Sequence, residues 1–225
     1  MISEVYNEDC MAGMARYPDG YFGLAIIDPP YGVNSGSFKF GNGAKGRKVK
    51  YLDGKRWDKT RPSERYFHEL FRVSKNQIIC GGNYFSLPPT RGFIFWYKSA
   101  QMAGRSYAEG EYIWTSFDTN ARMFEYAPMT GYASDKIHPT QKPVALYKWL
   151  LTNYAKPGDK ILDPFLGSGS SRIAAQDMGF DFYGWELDPD YFAAMEKRFK
   201  AHISKPVLFT AEEMYRPEQV KLFQD

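Results

Sequence analysis

The 225 residues are 44% hydrophobic and 24% charged, proportions of a soluble globular chain long enough for one sizeable core, which excludes disordered and fibrous classes. No apolar run nears the roughly 18 residues of a membrane helix, and the start MISEVYNEDC lacks the basic-then-apolar pattern of a signal peptide, so a cytoplasmic protein is expected. Net charge is +3, but Val33 to Arg61 alone carries nine basic residues against two acidic ones, a net of +7, which leaves the rest of the chain at −4.

In chain order, Phe22 to Ile27 (FGLAII) is a short apolar run that stops at Asp28-Pro29, which predicts a central strand ending in a loop. The basic stretch that follows, residues 33–61, has glycines at 36, 41, 43, 46 and 54 among its lysines and is expected to be a mobile loop. Pro62-Ser63-Glu64 opens a predicted helix through about Val73, with Tyr66, Phe67, Leu70 and Phe71 on the face that meets a sheet. Gln77–Cys80 before Gly81-Gly82, Phe93–Tyr97 and Tyr112–Thr115 are strand candidates. Thr140 to Ala155 predicts a helix with Pro143 in its first turn and Leu146, Tyr147, Leu150, Leu151 and Tyr154 on one face.

The last third alternates strand and helix. Lys160–Asp163 is a strand, Gly167-Ser168-Gly169-Ser170 a loop, Ser171 to Met178 a helix closed by Gly179, and Phe182–Glu186 the next strand. Asp188-Pro189 then caps a helix from about Asp190 to His202. This alternation implies an α/β fold with a mostly parallel sheet covered on both faces. Cys10 and Cys80 have no CxxC spacing, and His68, His138 and His202 are scattered, so reduced thiols and metal-free chemistry are expected.

Two motifs carry chemistry. Asp163-Pro164-Phe165-Leu166-Gly167-Ser168-Gly169 lies after a strand and opens a helix, where doubly wound sheets bind nucleotides. Glu186 ends the next strand, placed to accept from both hydroxyls of an unphosphorylated ribose. A dinucleotide site also uses a glycine loop plus an acid, so a nicotinamide oxidoreductase stays open. Asp163 tilts the choice toward a cationic ligand such as S-adenosylmethionine, because a carboxylate beside the loop opposes a pyrophosphate.

The second motif is Asp28-Pro29-Pro30-Tyr31. Asp28 and the Pro29 carbonyl suit accepting hydrogen bonds from an exocyclic NH₂, drawing its lone pair toward an electrophile. Pro29 and Pro30 fix that geometry, and Tyr31 offers a face on which a base extruded from a duplex can stack. A rigid turn after a strand is the bland reading of the same tetrapeptide.

Together these motifs resemble the DNA amino-methyltransferases acting on adenine N6 or cytosine N4, in the permuted order with the catalytic motif first. The likeness spans nearly the whole chain: Asp28–Tyr31 matches (D/N/S)PP(Y/F), and Asp163–Ser170 matches DPFxGSGT with Ser170 for Thr. It implies a seven-stranded, mostly parallel sheet with one antiparallel strand, the class I S-adenosylmethionine methyltransferase fold, and the six strands above plus Ile2–Asn7 make seven. It further nominates Asp9, with Cys10, for the cofactor's adenine, and the segment His138-Pro139-Thr140-Gln141-Lys142-Pro143 for its methionine end, through Thr140 and Lys142. Phe165, Gly167, Ser168 and Gly169 would line the same cofactor.

On this resemblance residues 1–225 form one methyltransferase domain, with a short target-recognition region at about 97–136. Double-stranded DNA is the expected partner, gripped by Lys39, Lys45, Arg47, Lys48, Lys50, Lys55 and Arg56, although a charge run is more often a solvated linker. A second copy of the chain is admitted as a partner, a membrane and a metal are not, and restriction–modification is the implied setting. Asp at the first motif position favours adenine N6, with cytosine N4 the alternative and a catalytically silent DNA-binding protein the remoter one. Glu109 and Glu111 read first as surface charges, with polar readers of a base edge the alternative, Cys80 as a small buried hydrophobe, and His138 as an organiser of its loop.

Overall fold

Burial at every position of Phe22–Ile27 demands a strand enclosed on both sides, and the architecture supplies that enclosure. The computed structural model describes residues 1–33, 58, 60–99, 108–127, 136–138 and 140–205. Its elements are β1 (Ser3–Tyr6), α1 (Cys10–Met14), β2 (Phe22–Ile27), α2 (Glu64–Val73), β3 (Ser74–Cys80), β4 (Phe93–Tyr97), β5 (Gly110–Thr115), β6 (Arg122–Glu125), α3 (Val144–Tyr154), β7 (Lys160–Asp163), α4 (Ser170–Asp177), β8 (Asp181–Trp185) and α5 (Pro189–Ile203). The strands form one sheet in the order β1-β8-β7-β2-β3-β5-β4-β6. Only β5 runs against its neighbours; every other pairing is parallel.

Strand alternation divides the core. Ala25 and Ile27 face α1 and α2 with Tyr66, Phe67, Leu70 and Val73, while Leu24 and Ile26 face α3, α4 and α5 with Leu146, Leu150, Ala174 and Met195. Each of the larger aliphatic and phenylalanine side chains among these contributes on the order of 1.5–3 kcal/mol by leaving water. The doubly wound, mostly parallel sheet with helices on both faces is as the sequence implied, but it has eight strands among the described residues rather than seven. The extra strand, β6, buries only Phe124 and lies at the sheet edge, so its sequence RMFE lacks the alternation that marks a half-buried strand.

Other boundaries moved for physical reasons. α3 begins at Val144, not Thr140, with Pro143 as an extended N-cap; a proline pushes the residue before it out of the helical region, so Gln141 and Lys142 stay in a loop. β3 starts at Ser74 directly from α2, with no intervening loop. The short α1 was not foreseen and is capped by Asp9, whose carboxylate accepts from the Met11 and Ala12 amides. No helix among the described residues is long and apolar enough to cross a membrane.

The sheet order reverses between β2 and β7. From β2 the chain crosses through α2 to β3 on one side, and from β7 it crosses through α4 to β8 on the other. Leu24 pairs with Ile161 and Ala25 with Leu162, so the loops leaving the carboxyl ends of these two strands diverge over a shared crevice, the place where such sheets take ligands.

Candidate active site

Both motifs open onto that crevice. Asp28 follows β2 and Asp163 ends β7; farther along the same carboxyl edge, Glu186 follows β8 and Asp9 follows β1. Asn7 Nδ2 donates to the Glu186 carbonyl at 2.7 Å and the Glu186 amide donates to the Tyr6 carbonyl at 3.1 Å, which ties the last two loops together. Residues from distant parts of the sequence thus form one line along the sheet.

The glycine loop is organised by its carboxylates. Asp163 is 1% exposed; it accepts from the Phe165 amide at 3.0 Å and from Ser171 Oγ at 2.5 Å. Burial pushes its carboxyl up to about 7 against those two hydrogen bonds. Glu186 accepts from the Gly167 amide through Oε2 and from the Asp188 amide through Oε1, both at 2.9 Å, and burial raises it as well. Gly169 has φ +68 and a Cβ there would collide with Met195, so only glycine fits this turn into α4. Ser168 Oγ and Ser170 Oγ lie 3.1 Å apart, and Arg198 of α5 donates to the Ser168 carbonyl at 2.7 Å.

Around this loop, the Phe165 ring packs on Tyr66 with centroids 5.2 Å apart. The Tyr66 hydroxyl is buried without a hydrogen-bond partner among the described residues, and Cys10 and Asp163 are the charged or ionisable groups bearing on it. Asp9 is committed to its α1 cap, and burial, then Asp9, pushes the neighbouring Cys10 thiol up to about 12. His138 lies against Gly167, and burial lowers its imidazole to about 3, so it is neutral at any ordinary pH. Thr140 Oγ1 is 3.2 Å from His138 Nδ1. An unsatisfied hydroxyl, two carboxylates and a glycine turn fit a polar, positively charged nucleoside better than an anionic one.

In the Asp28–Tyr31 loop, Tyr31 OH donates to Asp28 Oδ1 at 2.7 Å and its ring stacks on Tyr84, centroids 4.7 Å apart at 13°. Gly81, at φ +65, lets that ring pass, since a Cβ there would strike it. One face of Tyr31 is therefore already covered. The loop backbone is pinned by Asp58, which accepts from the Gly32 amide at 2.7 Å, and by Arg61, whose Nε donates to the Tyr31 carbonyl at 2.9 Å. These two residues lie at the end of the basic segment; Lys39, Lys45, Arg47, Lys48, Lys50, Lys55 and Arg56 lie outside the described residues.

The ammonium of Lys142, nominated for the cofactor, sits 2.5 Å from Asp28 Oδ1 and 3.2 Å from Tyr31 OH. Glu111, read from sequence as a surface charge, is instead held between Lys98 at 2.6 Å and Lys142 at 3.4 Å. No sequence signal marked either contact, because β5 delivers Glu111 from an antiparallel strand far along the chain. Burial raises the Asp28 carboxyl and Lys142 opposes it; burial works against the Lys142 ammonium but is outweighed by Asp28 and Glu111, which hold it well above the usual lysine range. The span 97–136 contains β5 and β6, and most of the remainder lies outside the described residues. Among the described residues no three His, Cys, Asp or Glu side chains group as a metal site.

Comparison with known proteins converges on one class. Residues 90–197 match a family model described as DNA methylase. YubD of Escherichia coli (strain K12), named as a methylase, is 26% identical over 224 residues, covering 89% of this chain and 91% of that one. The type II methyltransferase M2.DpnII of Streptococcus pneumoniae is 41% identical over 64 residues, 28% of this chain and 24% of that one. Among solved structures, the cytosine-N4-specific PvuII DNA methyltransferase superposes with a TM-score of 0.58 at 13% identity, over 95% of this chain and 90% of that one. The M1.HpyAVI complex with S-adenosylmethionine gives 0.53 at 20%, over 88% and 100%. These structural likenesses carry the fold.

Proposed function

We propose that this chain, whose residues 90–197 carry the sequence pattern of the DNA methylases, is an S-adenosylmethionine-dependent DNA methyltransferase acting on an exocyclic base amine, the N6 of adenine. The observation that carries the reading is the shared crevice: the amine-binding motif and the glycine loop leave adjacent strands β2 and β7 at the point where the sheet order reverses. Bound there, S-adenosylmethionine supplies an electrophilic methyl carbon on a positively charged sulfur. Asp163, Glu186, Phe165, Gly167, Ser168 and Gly169 would hold it, with Asp9, Cys10 and Thr140 at the margins of the pocket.

Across the crevice, Asp28 and the Pro29 carbonyl accept the two N–H bonds of the target amine, and Pro30 stiffens the turn. With the nitrogen lone pair directed at the methyl carbon, N–C bond formation would break the S–CH3 bond, whose electron pair neutralises the sulfonium, and the surplus proton would pass from the nitrogen to water. No histidine base is needed: His138 stays neutral and packs against Tyr191. Cys80 is buried and its thiol is held far above the usual range by that burial, so neither cysteine is set up as a nucleophile for attack on a ring carbon. Adenine rather than cytosine rests on the aspartate at the head of the motif.

Purified protein, labelled S-adenosylmethionine and mixed-sequence duplex DNA test this directly. Transfer of label to DNA is expected, and Asp28→Ala should reduce it by at least about 1000-fold while DNA affinity stays within a few-fold. A wild-type protein that binds DNA and transfers nothing would instead indicate a silent DNA-binding relative.

A further inference from the structure

Two charged side chains converge on Asp28 from different elements. Lys142 comes from the loop before α3 and places Nζ 2.5 Å from Asp28 Oδ1 and 3.4 Å from Glu111 Oε2. Glu111 comes from β5, and its Oε1 pairs with Lys98 at 2.6 Å. Tyr31 OH also donates to Oδ1 of Asp28, at 2.7 Å, so both donors load the same oxygen. A carboxylate gripped through one oxygen by two donors has its plane set and its other oxygen presented in a fixed direction.

We propose that Lys142 and Glu111 are positioning residues for the methyl-transfer site: Lys142 clamps Asp28 through Oδ1 so that Oδ2 faces the target amine, and Glu111 holds Lys142 and balances its charge. This rests on the proposed function, since an amine-binding Asp28 is what gives Oδ2 its use. The charge balance has a chemical reason. An amine that gains a methyl group becomes transiently positive, and an uncompensated ammonium beside it would oppose that step. Asp28, Lys142, Glu111 and Lys98 together sum to zero.

The groups that face Asp28 are Tyr31 on its own loop, Lys142, Tyr147 on α3, Glu111 on β5, Cys80 at the end of β3 and Asp163 at the end of β7. Burial keeps Tyr147 and Cys80 protonated and uncharged. Removing the Lys142 ammonium therefore makes Asp28 easier to protonate, and removing the Glu111 carboxylate makes it harder. The two changes have opposite signs at one group, which loss of packing alone does not produce.

The experiment follows single-turnover methyl transfer to duplex DNA across pH for wild type, Lys142→Met, Glu111→Gln and the double variant, with S-adenosylmethionine affinity measured separately by calorimetry. Lys142→Met should slow transfer by about 100-fold and move the acidic limb of the profile to higher pH, with cofactor affinity within about twofold. Glu111→Gln should slow it on the order of 10-fold and move the limb to lower pH. The double variant should be no slower than Lys142→Met, because Glu111 acts through Lys142. Wild-type rate in Lys142→Met, limbs that move the same way, or a loss confined to cofactor affinity overturns the proposal. Should Lys142→Met fail to fold, Glu111→Gln decides alone, a wild-type rate or a raised limb counting against. A wild-type chain that binds cofactor and methylates no DNA overturns the proposed function, and this inference with it, whereas active wild type with unaffected variants overturns only the inference.

Discussion

At the scale of single residues, Asp163 is a buried carboxyl that carries a stability cost. Its carboxyl rises from the usual range near 4 to about 7, so the folded chain keeps a proton that the unfolded chain loses between these values. Its contribution to stability therefore falls as pH rises from about 4 to 7. Asp163→Asn should unfold at a higher temperature than wild type at pH 8, with the difference shrinking toward pH 5. The same variant should lose cofactor affinity, and wild-type affinity for the sulfonium should itself weaken as pH drops through about 7. Melting curves and calorimetry at pH 5 and 8 check both; a variant less stable than wild type at pH 8 contradicts the buried-carboxylate account. The strand-end positions of Asp163, Glu186 and Asp28 were legible in the sequence because each ends an apolar run beside a turn signal. The contacts that Lys142 and Glu111 make with each other and with Asp28 were not legible, because they depend on which strands become neighbours.

Among the elements, legibility followed local signals. α2 and α5 were read closely because a polar cap and a proline announce their starts, and in α5 Asp188 does accept from the Asp190 and Tyr191 amides. β6 and α1 were missed, the first being a mostly exposed edge strand and the second a short turn of helix with little periodicity. The turn into α4 makes a sharper demand: Gly169 sits at φ +68 against Met195. Gly169→Ala should cost about 2 kcal/mol or more, combining left-handed strain with displacement of Met195, and should weaken cofactor binding by distorting Gly167 and Ser168. Chemical denaturation beside a cofactor titration measures the two effects, and an alanine variant with wild-type stability would contradict the geometry.

For the molecule as a whole, the chain delivers its two motif loops to one crevice by winding outward in opposite directions from β2 and β7. The sequence order of elements suggested such a sheet, but the adjacency of β2 and β7 is a tertiary fact. The +7 segment follows the Asp28–Tyr31 loop in sequence, and its last residues Asp58 and Arg61 bond back to that loop at Gly32 and Tyr31. If that segment grips phosphates, changing Lys45, Arg47, Lys48 and Lys50 to alanine should weaken DNA binding uniformly across sequences and flatten its salt dependence, by about one unit of slope per lost contact, with cofactor affinity unchanged. Unaltered salt dependence would assign the charges to a solvated linker.

Methyl transfer to the N6 amine of adenine is tested most directly by the chemical identity of the product. Duplex DNA methylated by the purified protein, digested to nucleosides and resolved by mass, should contain N6-methyladenine; N4-methylcytosine in its place would contradict the assignment of the amine.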